Sequence, residues 1–594
     1  MKTYPNLLAL LTSVCLLVPI HSFAADINQV DTNTQEQIRS QERQKQLRQQ
    51  QEIKPDVRDD VEKLKQAPAI ATDVIPENET PCFAISKIEL IGDSANKFQF
   101  VLNEVITSDP DGKPILGRCL GVVGINAVMT RVQNAIIAKG YVTTRVLASP
   151  QDLKSGLLQL TVIPGRVNAI RFTPDSSKRA REWNAVPINK GDILNLRDIE
   201  QALENFKRVP TAEADIQIEP TAIDVQGKES ASQFGLSDIV IKYQQRFPAR
   251  VSFSLDDSGS DTTGKYQGGV TISGDNLLTL NDLIYVNYNH DLGGGDNGKR
   301  GNDGYSAHYS IPWDYWLLSA TTSNNDFFQE VAGASQNYIF SGTSHNSEVK
   351  LNRLVYRNSI NKTNVSLKGF FRKSNNFIDD TEIEVQRRRT AGWELGFNQS
   401  WYIGKAVLDY NLAYRRGTGA EDSLKAPEES FGEGASRMEL LLGDLNLTVP
   451  FEVTAPWGKQ NLQYSANLRG QTNYTPLTPQ DRFSIGNRYT VRGFDGQQTL
   501  VADNGWLIRN DLTLPLGASG QAVYWGLDYG EVGGQSSDLL IGKYLAGTVI
   551  GLRGGGSNQF GNLSYDVFLG KPINKPKGFD THDATAGFNF NYSY

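Results

Sequence analysis

From residue 247 onward, apolar and polar side chains alternate with a period of two, in segments separated by clusters of Gly, Asn and Asp. Leu408, Tyr410, Leu412 and Tyr414 alternate with Asp409, Asn411, Ala413 and Arg415. Leu462, Tyr464, Ala466 and Leu468 alternate in the same way with Gln463, Ser465, Asn467 and Arg469. Successive side chains of a strand point to opposite faces, so each segment offers one face suited to lipid and one suited to water. A soluble β-sandwich would share the alternation, but it buries its apolar faces against each other and commonly uses shorter strands. Aromatic residues near the segment ends favour the interfacial girdles of a transmembrane β-barrel spanning residues 247–594. The chain finishes in a strict alternation, with Phe588, Phe590, Tyr592 and Tyr594 on one side, which predicts a terminal barrel strand.

The pattern upstream is different. A strand near 83–91, helices near 97–106 and 125–139, and strands near 142–148 and 157–163 are followed by a second series. That series has a strand over 166–172, a helix near 196–207, and strands near 214–219 and 237–243. The order β-α-α-β-β thus occurs about twice, which predicts two tandem α+β modules over 82–164 and 165–246. Residues 26–66 are rich in Gln, Glu, Arg and Lys, and 35–51 are nearly free of apolar side chains. A helix polar on all sides must be solvated, bridging, or threaded through a wet space. A flexible tail is the compositional alternative. Pro68, Pro76 and Pro81 punctuate a linker, so 25–81 reads as a polar helix plus linker.

Composition narrows these readings. A net charge of -7 argues against a general nucleic-acid binder. Residues 1–24 fit a secretory signal, with Lys2, an apolar stretch from Leu7 to Ile20, and Ser22-Phe23-Ala24 before the expected cleavage. That stretch is shorter than the roughly 20 residues a spanning helix needs. No later apolar run reaches that length, so the mature chain either leaves the membrane or crosses it as strands. Removing the signal leaves Cys82 and Cys119, for which a disulfide is the simplest reading in an oxidising compartment. Two thiols without a neighbouring histidine make a poor zinc site, and no metal or cofactor is expected. His290, His308, His345 and His582 are scattered without metal-ligand spacing. The sequence has no Gly-x-x-x-x-Gly-Lys-Ser/Thr pattern, and Gly293-Gly294-Gly295 lacks the following helix and Lys-Ser/Thr of a phosphate loop. Acidic pairs such as Asp379-Asp380 suit charged outer loops, so no catalytic residue is assigned.

One motif resists a purely structural explanation. Val491-Arg492-Gly493-Phe494 places an arginine in a turn between amphipathic strands, where a surface turn has no need of it. Asp528, a strand farther on, shares its face with Gly526 and Gly530, which leave room beside the carboxylate for something to dock. Arg492 therefore reads as the tip of a loop folded back into the barrel, with Asp528 as its inner-wall partner.

Taken in order, the signal, polar helix, Pro81-Cys82-Phe83 start, two modules, barrel, Val491-Arg492-Gly493-Phe494 and aromatic terminus resemble one family. It is the outer-membrane transporters of bacterial two-partner secretion, within the Omp85 superfamily that includes the general barrel-assembly factors. The resemblance implies two periplasmic POTRA modules, a barrel of about sixteen antiparallel strands, and a plug helix at residues 35–51 inside the lumen. It implies that the arginine of the inward loop meets an inner-wall aspartate. The terminal strand would close the barrel and serve as the tag read by the barrel-assembly machinery. The implied partner is a large secreted exoprotein with an N-terminal secretion domain, an adhesin, cytolysin or contact-dependent toxin, captured in the periplasm by the modules and moved without ATP. The alternative from the same superfamily is a barrel-assembly factor, but two modules, a disulfide in the first and the polar helix favour secretion.

Overall fold

A computed structural model describes residues 21–52, 55–64, 75–105, 114–221, 235–456 and 458–594. The expected signal lies outside the described residues except for its last four, which the structure joins to helix α1 (His21–Gln51).

Among the described residues, the C-terminal region is a closed antiparallel barrel of 16 strands, beginning at Ala249–Asp256 and ending at Thr585–Ser593. The last strand pairs with the first, with Asn589 opposite Asp256 and Ser593 opposite Ser252. Tyr594 completes the seam by exchanging backbone hydrogen bonds with Val251. The alternation sorts side chains as the pattern demands. Leu412 and Leu468 face outward, 46% and 38% exposed, whereas Arg415 turns inward to Glu394 and Arg469 to Glu42 of α1. Turns on the side of the modules are tight, such as Asp314-Tyr315 between Arg300–Trp313 and Trp316–Ala332. The loops at the other end are longer, and residues 474–503 form one of them.

The first module has a sheet with Leu157–Ile163 at its centre, parallel to Lys87–Gly92 and antiparallel to Arg145–Leu147. Helices α3 (Phe100–Val105) and α4 (Val122–Ala138) bury Val101, Val105, Val128, Val132 and Ile136 against it. Cys82 and Cys119 form a disulfide with a Cα separation of 5.2 Å. Glu79 caps α4 from a distance by accepting the N–H groups of Gly121, Val123 and Gly124 at 2.7, 2.8 and 2.9 Å. These otherwise orphaned donors and the positive end of the helix suit a carboxylate.

The second module has Leu236–Gln245 between Arg166–Phe172 and Ala212–Pro220, with α5 (Leu196–Lys207) packed on the sheet. Here the order differs from a second β-α-α-β-β unit, because among the described residues α5 is its only α-helix. Residues 173–195, interrupted by Pro174, Pro187 and Gly191, instead form an irregular strap against the barrel rim. Asn184 donates to Leu280 O at 2.6 Å and Pro312 O at 3.1 Å, and Arg179 donates to Asn276 O and Leu277 O. From α5, Glu204 pairs with Arg357 and Lys362, while Asp198 accepts from Tyr315. The module is thereby fixed to the barrel turns.

Between α1 and the first module, the segment read as linker contains a further element. Helix α2 (Arg58–Glu62) places Val61, with Val57 beside it, in the apolar core of the second module.

Candidate functional site

Among the described residues, helix α1 and the loop at 474–503 lie in the barrel lumen without belonging to its wall. The helix survives there because its polar side chains find partners around the wall. Glu42 meets Arg469 at 2.6 Å and Arg48 meets Glu348 at 2.6 Å. Glu36 accepts from Thr263, and Gln51 accepts from Ser273 at 2.6 Å. At the helix end, Glu52 binds Arg208 of the second module at 2.9 Å. A chain this polar could not be buried in an apolar core, and the lumen supplies the matching groups.

The loop folds inward because it carries its own small core. Phe483–Ile485 pairs with Leu500–Ala502. Phe483, Ile485, Val491, Phe494 and Leu500 cluster with Leu507, Val532 and Leu545 from the wall and with Phe579 from the neighbouring loop. The rings of Phe494 and Phe579 meet edge to face at 5.7 Å.

At the tip, Arg492 Nε donates to Asp528 Oδ2 at 2.7 Å and Nη2 to Oδ1 at 2.8 Å. The backbone N–H of Arg492 adds a bond to Asp528 Oδ2 at 3.0 Å. Asp528 lies on the second strand after the loop, Gln521–Gly533, and is 1% exposed, against 4% for Arg492. This fork-to-fork arrangement uses the planar guanidinium in a way that a lysine could not reproduce.

The site extends beyond those two residues. Arg492 Nη2 also reaches Asp511 Oδ1 at 2.6 Å, and Arg553 holds the other oxygen of Asp511 at 2.9 Å. Arg509 stands 4.0 Å from Asp528 and donates to Tyr489 O in the loop at 3.1 Å. Sequence reasoning missed Asp511, Arg509 and Arg553. Their signal was available: Arg509 and Asp511 alternate with Ile508, Asn510 and Leu512, so two charges share the inward face of one strand.

Glycines form the floor beneath the tip. A Cβ on Gly526 would lie 2.6 Å from Arg492 Nη2, and one on Gly530 would lie 2.8 Å from Val491 Cγ2. Two further glycines, neither singled out from the sequence, lie against the loop backbone: a Cβ on Gly547 would sit 1.9 Å from Arg492 O, tighter than either, and one on Gly570 would lie 2.9 Å from Gly493 Cα. Gly493 has φ of 99°, a left-handed conformation that costs glycine little. On the terminal strand, Phe590 and Tyr594 are exposed and Phe588 and Tyr592 half-buried, with Tyr592 paired opposite Phe253 of the first strand. Among the described residues, no group of three or more His, Cys, Asp or Glu is arranged to hold a metal ion.

Known proteins share this architecture. The family model described as haemolysin secretion/activation protein ShlB/FhaC/HecB matches residues 235–554, and POTRA-domain models match residues 83–165 and 166–220. The outer membrane transporter CdiB-2 of Burkholderia pseudomallei strain 1026b is 36% identical, over 90% of this chain and 89% of its own. The Serratia marcescens hemolysin transporter protein ShlB is 23% identical over 70% of this chain and 71% of its own. CdiB from Acinetobacter baumannii superimposes with a TM-score of 0.79 at 30% identity, covering 96% of this chain and 99% of that one. A closed barrel with POTRA modules on its periplasmic side and a polar helix in its lumen defines an outer-membrane transporter of two-partner secretion. The chain belongs to the haemolysin secretion/activation protein ShlB/FhaC/HecB family. Its partner is accordingly a secreted exoprotein.

Proposed function

We propose that this transporter takes an unfolded exoprotein carrying an N-terminal secretion domain from the periplasm and passes it through the barrel as an extended chain. Edge strands of the POTRA sheets, such as Ala212–Pro220, offer main-chain hydrogen bonds that bind many sequences. Folding of the client outside then makes return through the pore unfavourable as each repeat is buried. The reading includes a contact-dependent toxin among the client classes, since the relatives described as CdiB are the more similar ones. Barrel-assembly machinery would insert the transporter through its aromatic terminal strand.

The observation that carries this reading is the occupied lumen. Helix α1 closes the route at rest, and the inward loop forms part of its seat: Arg39 donates to Gly496 O at 2.6 Å and Gln35 to Gln497 O. Arg492 and Asp528 act as a positioning pair, holding the loop where the helix and the client pass it. Single-channel conductance with and without residues 26–52, which leaves α2 in the second module, tests the seat. Deletion should raise conductance, and an unchanged value would refute a plugged resting state.

A further inference from the structure

The strap of the second POTRA module carries an aromatic side chain in an unexpected place. Trp183 is 54% exposed although its neighbours are locked in position. Asn184 is fully buried by its bonds to Leu280 O and Pro312 O, and its own carbonyl accepts the N–H of Asp314 at 2.9 Å. Asn281 donates to Arg181 O on the other side. The indole is thus held rigidly against the barrel rim, where its ring meets that of Trp313 edge to face at 6.3 Å.

Trp313 identifies what lies outside. It ends strand Arg300–Trp313, is 62% exposed, and pairs across the turn with Trp316. Both continue the outward face of Ile284, Ile311 and Leu318, the face that meets lipid, at its periplasmic end. Leu277 and Leu278 in the adjacent turn are also exposed. Aromatic residues with an apolar body and a polar N–H favour the headgroup boundary. Lys178 and Arg181 on the strap are exposed, and Arg353 stacks over Trp316 at 4.7 Å. Glu182 is the one exposed acid between Lys178 and Trp183. This juxtaposition suits lipid phosphates, which attract cations within a Debye length of the surface.

We propose that the strap at 178–183 is a membrane-contacting element, with Trp183 seated among the phospholipid headgroups of the periplasmic leaflet and Lys178 and Arg181 facing their phosphates. The POTRA module would then be held to the membrane plane by lipid as well as by the barrel turns.

The test uses the full chain carrying Trp183→Cys, nitroxide-labelled and reconstituted in phosphatidylethanolamine and phosphatidylglycerol vesicles. Relative to a label at Lys190→Cys, on the loop beside the first module, the label at 183 should collide severalfold more with oxygen than with a water-soluble nickel complex. Equal accessibility at the two sites would overturn the proposal. So would accessibility at 183 that falls only when client polypeptide is added, which would make the patch a client contact. An unlabelled comparison guards against perturbation by the nitroxide: brominated phospholipid should quench the fluorescence difference between wild type and Trp183→Phe. An unquenched difference would also overturn it.

Discussion

Removing the Arg492 side chain should detach the inward loop without opening the barrel. Arg492→Ala deletes two charge-assisted bonds to Asp528 and one to Asp511. Truncating one member of a buried ion pair costs about 3–5 kcal/mol, largely because the remaining charge is stranded. Two features soften this loss: the backbone N–H at 492 still reaches Asp528, and Arg509 stands 4.0 Å away. Asp511 also keeps Arg553. The lower end, about 3 kcal/mol, is therefore expected, which corresponds to roughly a hundredfold rise in the detached loop population at 1.4 kcal/mol per tenfold. Limited proteolysis within 474–503 should accelerate and client export should fall, while heat-modifiable migration of the barrel remains as in wild type. Asp528→Ala should behave similarly. The double variant should lose less than the sum of the singles, because the two groups interact directly. Normal export by both single variants would remove the pair from the mechanism, and strictly additive proteolysis effects would show that the bonds do not couple loop to wall.

Replacing Cys82 by Ser should destabilise the first POTRA module by roughly 3–4 kcal/mol through release of its 37-residue loop, on the chain-entropy estimate. The calorimetric transition of that module should shift while the barrel transition does not. Burial alone would raise the Glu79 carboxyl, but the N–H groups of Gly121, Gly124 and Val123 hold it below its ordinary value. Its contribution is present above the unfolded pKa and is lost as pH falls through the folded one, so acid should weaken the first module in wild type more than in Glu79→Gln, measured by melting below the ordinary carboxylate range. Asp198 shifts oppositely: burial pushes it up to about 6, against the Tyr315 hydrogen bond and with the help of the Asp192 charge. Protonation then favours the docked state, so the junction of the second module with the barrel should tighten as pH falls through about 6 toward the ordinary carboxylate range. Spin-label distances across that junction should narrow in distribution over this window, and an Asp198→Asn variant should show no change.

Much of this architecture could be read from periodicity because lipid and water impose opposite demands on alternate residues. Arg469 illustrates the strength of that constraint: its inward position followed from Leu468, while its partner Glu42, far away in sequence, did not. Long-range pairing is set by how strands and plug are assembled in space. The Arg492 motif was legible because an arginine in an otherwise small, apolar turn is costly to explain as a surface feature. Its wider support was not, since Gly547 and Gly570 look like ordinary strand glycines until a backbone approaches them. Likewise, the strap at 173–195 has no periodic pattern, and its form is dictated by carbonyls on the barrel rim. Helix α2 was concealed within a polar stretch because Val57 and Val61 are only two apolar residues, yet both reach the core of the second module.

The seam between the first and last strands joins Ser252 to Ser593 across 341 residues. A newly exported chain therefore possesses its opening strand long before the partner that completes it has been delivered. Until then any growing sheet exposes two raw edges, each able to recruit the wrong neighbour. Contacts this distant in sequence are also slow to find unaided. The ordering this imposes is strict: both ends delivered first, cylinder closed last.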